Sequence, residues 1–450
     1  MQQTLKAVQL YLYYVLVKCL SNCYESPGKD NYSSDKIHVI IPVGGKATRL
    51  WPLTSETSKA CLRLLNRPLV EFSLLSLANQ GIRNFIFGVK GYTNYCDLYD
   101  YFESGTGFSA RYGIDPPIHI KYQPNVADLG SADSARINMD YYEISNPVFA
   151  VQGDNIFDIK IKSLIDFHKE KESALTIVLR EVDNVEGLGI ADIDGSGRIQ
   201  KFVEKPPPKD APSNLANTGL YVLSPEIRQI FREEGVQRLI RERGRLDFGY
   251  DFIPYVISTG RPVYGYTLKS NWYDVGTPKS YLEAMKSLLC EGLSSLKDFG
   301  GRLGEGSMIW VQGDSVDSEK CREEIVGQIR RGRIKIEGAV LIGQHCQIED
   351  GAHIVNSCID NFTRIGRNAT IVNSAVMDRA IIGEGTEICD SIIGRHVVIN
   401  SSCSKPTRIN SVSVVADDVI VEEGCSLVAT KVYSHQRIRG EFENQTILAN

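Results

Sequence analysis

A single loop concentrates groups suited to handling phosphate. It reads Pro42-Val43-Gly44-Gly45-Lys46-Ala47-Thr48-Arg49-Leu50-Trp51-Pro52-Leu53-Thr54, and Ser58-Lys59 follow. Two adjacent glycines let the backbone approach a ligand closely. Arg49 and Lys59 bring two positive charges, and Thr48 brings a hydroxyl. The string is neither a Walker-type phosphate loop nor the GxGxxG dinucleotide fingerprint. Other chemistries are poorly supplied. The seven histidines are scattered with no HExxH, and the eleven cysteines contain no CxxC pair. An odd number of cysteines in a long chain fits reduced thiols in a cytoplasm, not a disulfide scaffold or a zinc site.

The elements around this loop place it. Ile37 to Ile41 is a β-branched run that reads as a buried strand ending in the Gly44-Gly45 turn. Leu69 to Gln80 has helical apolar spacing between Pro68 and Gly81. Phe85 to Val89 and Val148 to Val151 read as strands, the latter ending at Gly153-Asp154. Leu164 to Lys171 reads as a helix and Ala174 to Leu179 as a strand. Such alternation predicts a Rossmann-like α/β domain with a mostly parallel sheet. Ligands in such sheets bind beyond the carboxyl ends of the strands, so Gly44-Gly45 and Asp154 are expected to share a site.

Charge narrows the partners. Fifty Lys and Arg oppose 55 Asp and Glu, a formal net charge of −5. That balance argues against coating nucleic acid, which needs a strong basic footprint. Phosphate binding must therefore come from a few placed cations and backbone amides.

The loop, read as GG-x-x-TRL-x-PLT followed by Lys59, resembles the signature of the sugar-1-phosphate nucleotidyltransferases, or NDP-sugar pyrophosphorylases. Further segments match in family order over about residues 37–287. They are Leu129-Gly130-Ser131-Ala132-Asp133, Gln152-Gly153-Asp154-Asn155, Val203-Glu204-Lys205-Pro206, Asn217-Thr218-Gly219-Leu220-Tyr221 and Trp272-Tyr273-Asp274-Val275-Gly276-Thr277-Pro278. The resemblance implies a reaction in which a sugar 1-phosphate oxygen attacks the α-phosphorus of a nucleoside triphosphate and pyrophosphate leaves. A phosphate monoester with a second pKa near ~6 is already ionised, so no general base is required.

The roles implied by the resemblance are specific. Gly44, Gly45 and Thr48 would contact the nucleotide, with Gln123 and Gly130 facing its base. Arg49 and Lys59 would hold the triphosphate and the departing pyrophosphate, and Lys205 the sugar phosphate. Gly189, Glu204, Asn217 and Trp272 would line the sugar pocket. Asp154 and Asp274 would hold Mg²⁺, a hard cation that prefers oxygen ligands. Gln123 and the Gly130 loop lean toward a pyrimidine nucleotide, whereas Asp247-Phe248-Gly249 also resembles relatives making GDP-mannose or ADP-glucose. Glucose 1-phosphate and mannose 1-phosphate are the leading acceptors.

Two departures stand out. The family has Gly where this chain has Ala47, and Pro where it has Ser58. Ala in a left-handed backbone costs about 1 kcal/mol, and losing the proline is expected to loosen the approach of Lys59. A catalytically weak regulatory paralogue is therefore an alternative reading.

After Arg333 the aliphatics repeat. Ile348, Ile365, Ile382 and Ile399 are each seventeen apart, as are Asn356-Ser357, Asn373-Ser374 and Asp390-Ser391. Steps of 6 + 6 + 5 are the hexapeptide repeat of a three-sided parallel β-helix, and the resemblance implies a left-handed one. The expected division is an extension at 1–36, the catalytic domain at 37–290, a linker at 291–331, the β-helix at 332–430 and a tail at 431–450. About four regular coils are expected, with assembly through this domain into a homo-oligomer. A β-helix can also serve an acetyltransferase, and His345, His353 and His396 would be the only candidate bases for that bifunctional alternative. Near the start, Ala7 to Val17 is an eleven-residue apolar run, too short for a membrane span of ~20 residues.

Overall fold

The computed structural model describes residues 36–296, 299–313 and 315–448. The apolar run Ala7 to Val17 lies outside the described residues. Among these, no helix is long and apolar enough to cross a membrane.

The first domain is built on strands β1 (His38–Val43), β2 (Asn84–Val89), β3 (His119–Tyr122) and β4 (Val148–Val151). Next come β5 (Asn155–Phe157), β6 (Leu175–Glu181), β7 (Gly189–Ile193), β8 (Ile199–Glu204) and β9 (Leu215–Leu223). The last two are β10 (Val263–Thr267) and β11 (Trp272–Asp274). One nine-stranded sheet runs β8-β7-β9-β4-β1-β2-β3, with β6 also pairing with β9, and β10 with β6. Strands β1, β2, β3 and β4 pair in parallel. The other half is antiparallel around β9, so the expected parallel sheet is the half that carries the glycine loop.

Strand β1 shows why that half is buried. Val39, Ile41 and Val43 point into one core and Ile40 into the other. A strand covered on both faces reads as a continuous apolar run. The covering helices include α1 (Leu69–Ala78), α2 (Tyr92–Phe102), α3 (Ser131–Tyr141) and α4 (Ile161–Glu170). β5 and β11 form a separate two-stranded ribbon in which Asp274 pairs with Asn155. Helix α5 (Pro278–Glu291) leaves that ribbon through a capping box of Thr277 and Ser280.

The second domain is a left-handed β-helix of three parallel sheets with eight, seven and six strands. Its repeating isoleucines stack in register: Ile354 on Ile371 on Ile388, and Ile348 on Ile365 on Ile382. Corners need a left-handed residue, and Asn356, Asn373 and Asp390 supply φ of 46°, 48° and 45°.

The expected boundaries shift at both ends. The solenoid begins with Ile309–Val311, inside the segment taken as linker, because this strand pairs with Val340–Ile342. Helix α6 (Val316–Arg330) follows and packs Ile325, Val326 and Ile329 onto the first coils. It closes the open end that a solenoid would otherwise expose. At the other end, strands continue through Thr446–Ile447, so the expected tail carries four further strands of β-helix. The period is broken after Ile399, which pairs with Val421, twenty-two residues on instead of seventeen.

The domains share a core. Leu62, Leu64, Leu65 and Phe72 of the first domain and Tyr281, Met285 and Leu288 of α5 pack with Leu341, Cys358, Ala375, Ile392 and Val414 of one β-helix face. Ile371 lies between Ile354 and Ile388 with no exposed surface. Ile371→Ala is expected to lower the unfolding free energy by about 2–5 kcal/mol, as truncations in packed cores do, measured by urea denaturation.

Candidate active site

Four loops leave the carboxyl ends of β1, β2, β3 and β4 on the same edge of the sheet. They line a cleft of about 480 Å³. Gly44, Gly45, Thr48 and Arg49 come from the first, Lys90 from the second, Asp128, Gly130 and Ser131 from the third, and Gln152 and Asp154 from the fourth. Lys59, Lys205 and Asp247 complete the lining. β1 lies between β2 and β4, and an opening at the point where the chain winds both ways from a central strand is the common ligand site of such sheets.

Backbone geometry fixes the loops. Ala47 adopts φ 47°, ψ 40°, so the position does require the left-handed conformation, and alanine carries its strain. The Thr54 hydroxyl donates to the Ala47 carbonyl at 3.0 Å. Gly130, at φ 141°, must be glycine: a Cβ there would lie 2.7 Å from the Leu246 carbonyl oxygen. Ser131 ties that loop to the opposite rim by donating to Asp247 Oδ2 at 2.7 Å and accepting from the Phe248 N–H at 3.0 Å. Ser58 does not loosen its segment. Its N–H donates to Asp97 Oδ2 at 2.7 Å, an anchor a proline could not make.

The charges interlock. Lys59 Nζ donates to Asp154 Oδ2. Asp274 sits across the ribbon from Asn155, and Arg49 stands near it on Gly276: a Cβ there would lie 3.1 Å from Arg49 Nη2 and 3.2 Å from Asp274 Oδ2. Burial, then the Asp154 charge, push the Asp274 carboxyl up, while Lys59, Arg49 and Lys205 oppose that shift. The Asp154 carboxylate stands beside Asp274 and its charge raises the Asp274 proton affinity; among three cations, the two form a donor set that fits a divalent cation. The bound ion would relieve their repulsion, with its remaining oxygens drawn from phosphate or water. Among the described residues, no cluster of three or more His, Cys, Asp and Glu offers a fuller cage.

Beside the cleft, Glu204 is pressed between two glycines. Added Cβ atoms on Gly189 and Gly249 would stand 2.5 and 2.2 Å from its Oε2. Asn217 borders this pocket, its amide donating to the Tyr221 hydroxyl at 2.8 Å. Burial pushes the Glu204 carboxyl up to about 7, with Lys205 opposing and Asp247 adding to the rise. Lys205 itself holds φ 49°, a left-handed strain at a functional side chain. Its ammonium lies 3.9 Å from Glu204 Oε1 and 5.6 Å from the Tyr250 ring centre.

Two expected residues stand elsewhere. Gln123 is 4% exposed, and its amide is spent on internal partners: it donates to the Asn125 carbonyl at 2.9 Å and accepts from Ser134 at 2.8 Å and Asn138 at 3.1 Å. It braces the base-side loop from behind. Trp272 packs against the core that surrounds β1 instead of lining the cleft. Conversely, Lys90, Asn94 and Asp128 line the cleft without having been singled out. Lys90 follows strand β2 directly, the same strand-end signal that marked Gly44 and Asp154.

Two outcomes follow. Alanine already adopts the glycine conformation at position 47, so Ala47→Gly should change stability by no more than about 1 kcal/mol and leave turnover within about twofold, by thermal melt and steady-state rate. For Glu204, the folded pKa of about 7 exceeds the reference 4.5. Its contribution to stability is present below that reference and is lost as pH rises through 7. Glu204→Gln stays neutral, so its melting temperature should gain on the parent between pH 5 and pH 8. The gain should correspond to at most on the order of 3 kcal/mol.

The nucleotidyl transferase family model matches residues 38–291, and the model described as GMPPB C-terminal domain matches residues 336–448. Among curated relatives, the UTP–glucose-1-phosphate uridylyltransferase of Synechocystis sp. is 27% identical over 349 residues, covering 74% of this chain and 85% of its own. Glucose-1-phosphate adenylyltransferases of Bacillus cereus and Desulforamulus reducens are each 26% identical. They cover 78% and 87% of this chain, and each match spans 94% of the relative. With the family match spanning more than half of its length, the chain belongs to the nucleotidyl transferase family, in the sugar-1-phosphate branch that carries a C-terminal left-handed β-helix.

Proposed function

We propose that the cleft joins a nucleoside triphosphate to a hexose 1-phosphate, glucose 1-phosphate or mannose 1-phosphate, with release of pyrophosphate. The observation that carries this reading is the convergence of Arg49, Lys59 and Lys205 around Asp154 and Asp274 at the carboxyl edge of the sheet. A phosphate oxygen of the sugar 1-phosphate forms a bond to the α-phosphorus, and the bond from that phosphorus to the bridging oxygen of the β-phosphate breaks. No proton has to be removed from the nucleophile, which suits a cleft lined by no histidine. His168 is buried, held by Thr176 at 2.7 Å and Ser224 at 2.9 Å, and its pKa is pushed down to about 4.

The chain's own groups divide the work. Gly44, Gly45, Thr48 and Gly130 seat the nucleotide against backbone amides. Arg49 and Lys59 hold the triphosphate and then the pyrophosphate. Lys205, in its strained conformation, presents an ammonium to the sugar phosphate beside Glu204 and Asn217, which would accept and donate hydrogen bonds to sugar hydroxyls. Asp154 and Asp274 would hold Mg²⁺, which when bound offsets the charge gathered on the phosphates. The loop keeps its left-handed turn at Ala47 and its anchor at Ser58, which favours a working enzyme over a catalytically weak paralogue. None of the three β-helix histidines considered for acetyl transfer lines the cleft: His345 stacks on Phe362 at 4.8 Å, His353 lies 3.5 Å from Glu337 and His396 3.3 Å from Asp418.

Assembly into a homo-oligomer through the β-helix belongs to the same reading. Exposed Phe362 and Ile381 on its coils support it, as do nine free cysteines among the described residues for a reducing, cytoplasmic setting. Sedimentation velocity should show a species larger than one chain.

The deciding experiment measures pyrophosphate release over a grid of nucleoside triphosphates and hexose 1-phosphates. One productive pair is expected, silenced by EDTA and restored by Mg²⁺. Asp154→Asn and Asp274→Asn should each lower kcat by about 100-fold or more, the scale for removing one electrostatic partner of a transition state. A grid silent with Mg²⁺ present, on folded protein, would refute the reading.

A further inference from the structure

Lys59 rides on a single 3-10 turn, Lys59–Cys61, and both flanks of that turn are tied to charged groups outside the cleft. Upstream, the Ser58 N–H donates to Asp97 Oδ2 at 2.7 Å. Downstream, Arg63 donates through Nε and Nη2 to the two oxygens of Asp360, the second bond at 2.8 Å, and lies 3.8 Å from Asp378 Oδ1. Asp360 and Asp378 stand on successive coils of the β-helix, with side chains 3% and 7% exposed. Asp378 also accepts from Arg395 Nε at 2.8 Å and Arg379 Nη1 at 2.6 Å. Burial pushes the Asp97 carboxyl up, with the Ser58 N–H, and more weakly the Arg395 charge, opposing that rise.

Three carboxylates, Asp97, Asp360 and Asp378, thus face three guanidinium groups, Arg63, Arg379 and Arg395. Arg395 and Arg63 share Asp378, which ties the downstream flank to the next coil. None of the six lines the cleft. Sealed carboxylates of this kind are costly to leave unpaired, so the network fixes the strand that follows the turn as well as the turn itself.

We propose that Arg395 of the β-helix is a positioning residue for nucleotidyl transfer, setting the Lys59 ammonium through Asp378 and Arg63 on the downstream flank while Asp97 holds the upstream one. The catalytic site is then supported by the second domain, although no β-helix residue lines the cleft. This rests on the assignment of Lys59 to pyrophosphate.

The test uses the full-length protein in the reverse direction, with NDP-sugar saturating and pyrophosphate varied. Lys59→Gln should raise the KM for pyrophosphate at least tenfold. Arg395→Gln should raise it three- to tenfold, and Arg395→Lys, which keeps the charge, should return it to within about twofold of the parent. Arg395→Gln strips a partner from buried Asp378, so Asp97→Asn supplies a second arm. It leaves Asp378 paired, weakens only the upstream bond from charge-assisted to neutral, and should produce a rise of the same kind. Arg408→Gln is the control, since Arg408 pairs with Glu387 at 3.0 Å on an outer coil, and its KM should not move. An unchanged KM in Arg395→Gln and Asp97→Asn overturns the proposal, even where kcat falls together with the melting temperature. An unchanged KM in Lys59→Gln overturns the assignment of Lys59 and the proposal with it.

Discussion

The repulsion between Asp154 and Asp274 organises the active site. Asp274 ends one strand of a short ribbon and Asp154 immediately precedes the other, so they lie close across the pairing of Asp274 with Asn155. Burial, and after it the Asp154 charge, raises the proton affinity of Asp274. The cations around them compensate. Lys59 pairs directly with Asp154, Arg49 and Asp274 both stand against the bare backbone of Gly276, and Lys205 adds a third charge at the rim. A ligand that brings its own phosphates needs those cations freed, and a divalent cation taking over the carboxylates would free them. The same groups can therefore hold the empty site together and then release it to substrate, without any side chain having to act as a base.

Such a site needs stiff supports, and they come from different sources. The parallel half of the sheet fixes the nucleotide loops because its strands are packed on both faces. The pocket beside the cleft is fixed by close approach: Glu204 has room only because positions 189 and 249 carry no side chain. Strain appears where the chain must turn sharply while still presenting chemistry. Ala47 and Lys205 both hold left-handed backbones, a cost that surrounding contacts must cover.

Much of this was legible in the residues, and the failures share a cause. Strand β1, the loop after it and Asp154 announced themselves through local pattern, since an apolar run and a glycine turn depend on near neighbours alone. The isoleucine period disclosed the β-helix for the same reason. Its true ends were hidden by irregularity. Five extra residues before Val421 break the count, and the first strand at Ile309–Val311 is separated from the rest by helix α6. Gln123 and Trp272 carry the right names in the right motifs, yet their surroundings decide where they point. A buried amide must satisfy its hydrogen bonds, and Gln123 finds Ser134 and Asn138 on α3. No local pattern contains that information.

Ser58 gives the clearest case of compensation at a distance. The motif position favours proline, whose ring fixes φ near −65°. Ser58 reaches φ −56° by a different route, with its N–H held by Asp97 thirty-nine residues away. Proline would impose the conformation locally, whereas serine borrows it from helix α2. That exchange makes the turn depend on Asp97. The residue that looked like a loss in the sequence is therefore tied into helix α2 instead of being fixed by its own ring. A chain with proline there would have a stiffer turn but no such tie, while the direct hold of the β-helix on this segment comes further on, through Arg63 and Asp360.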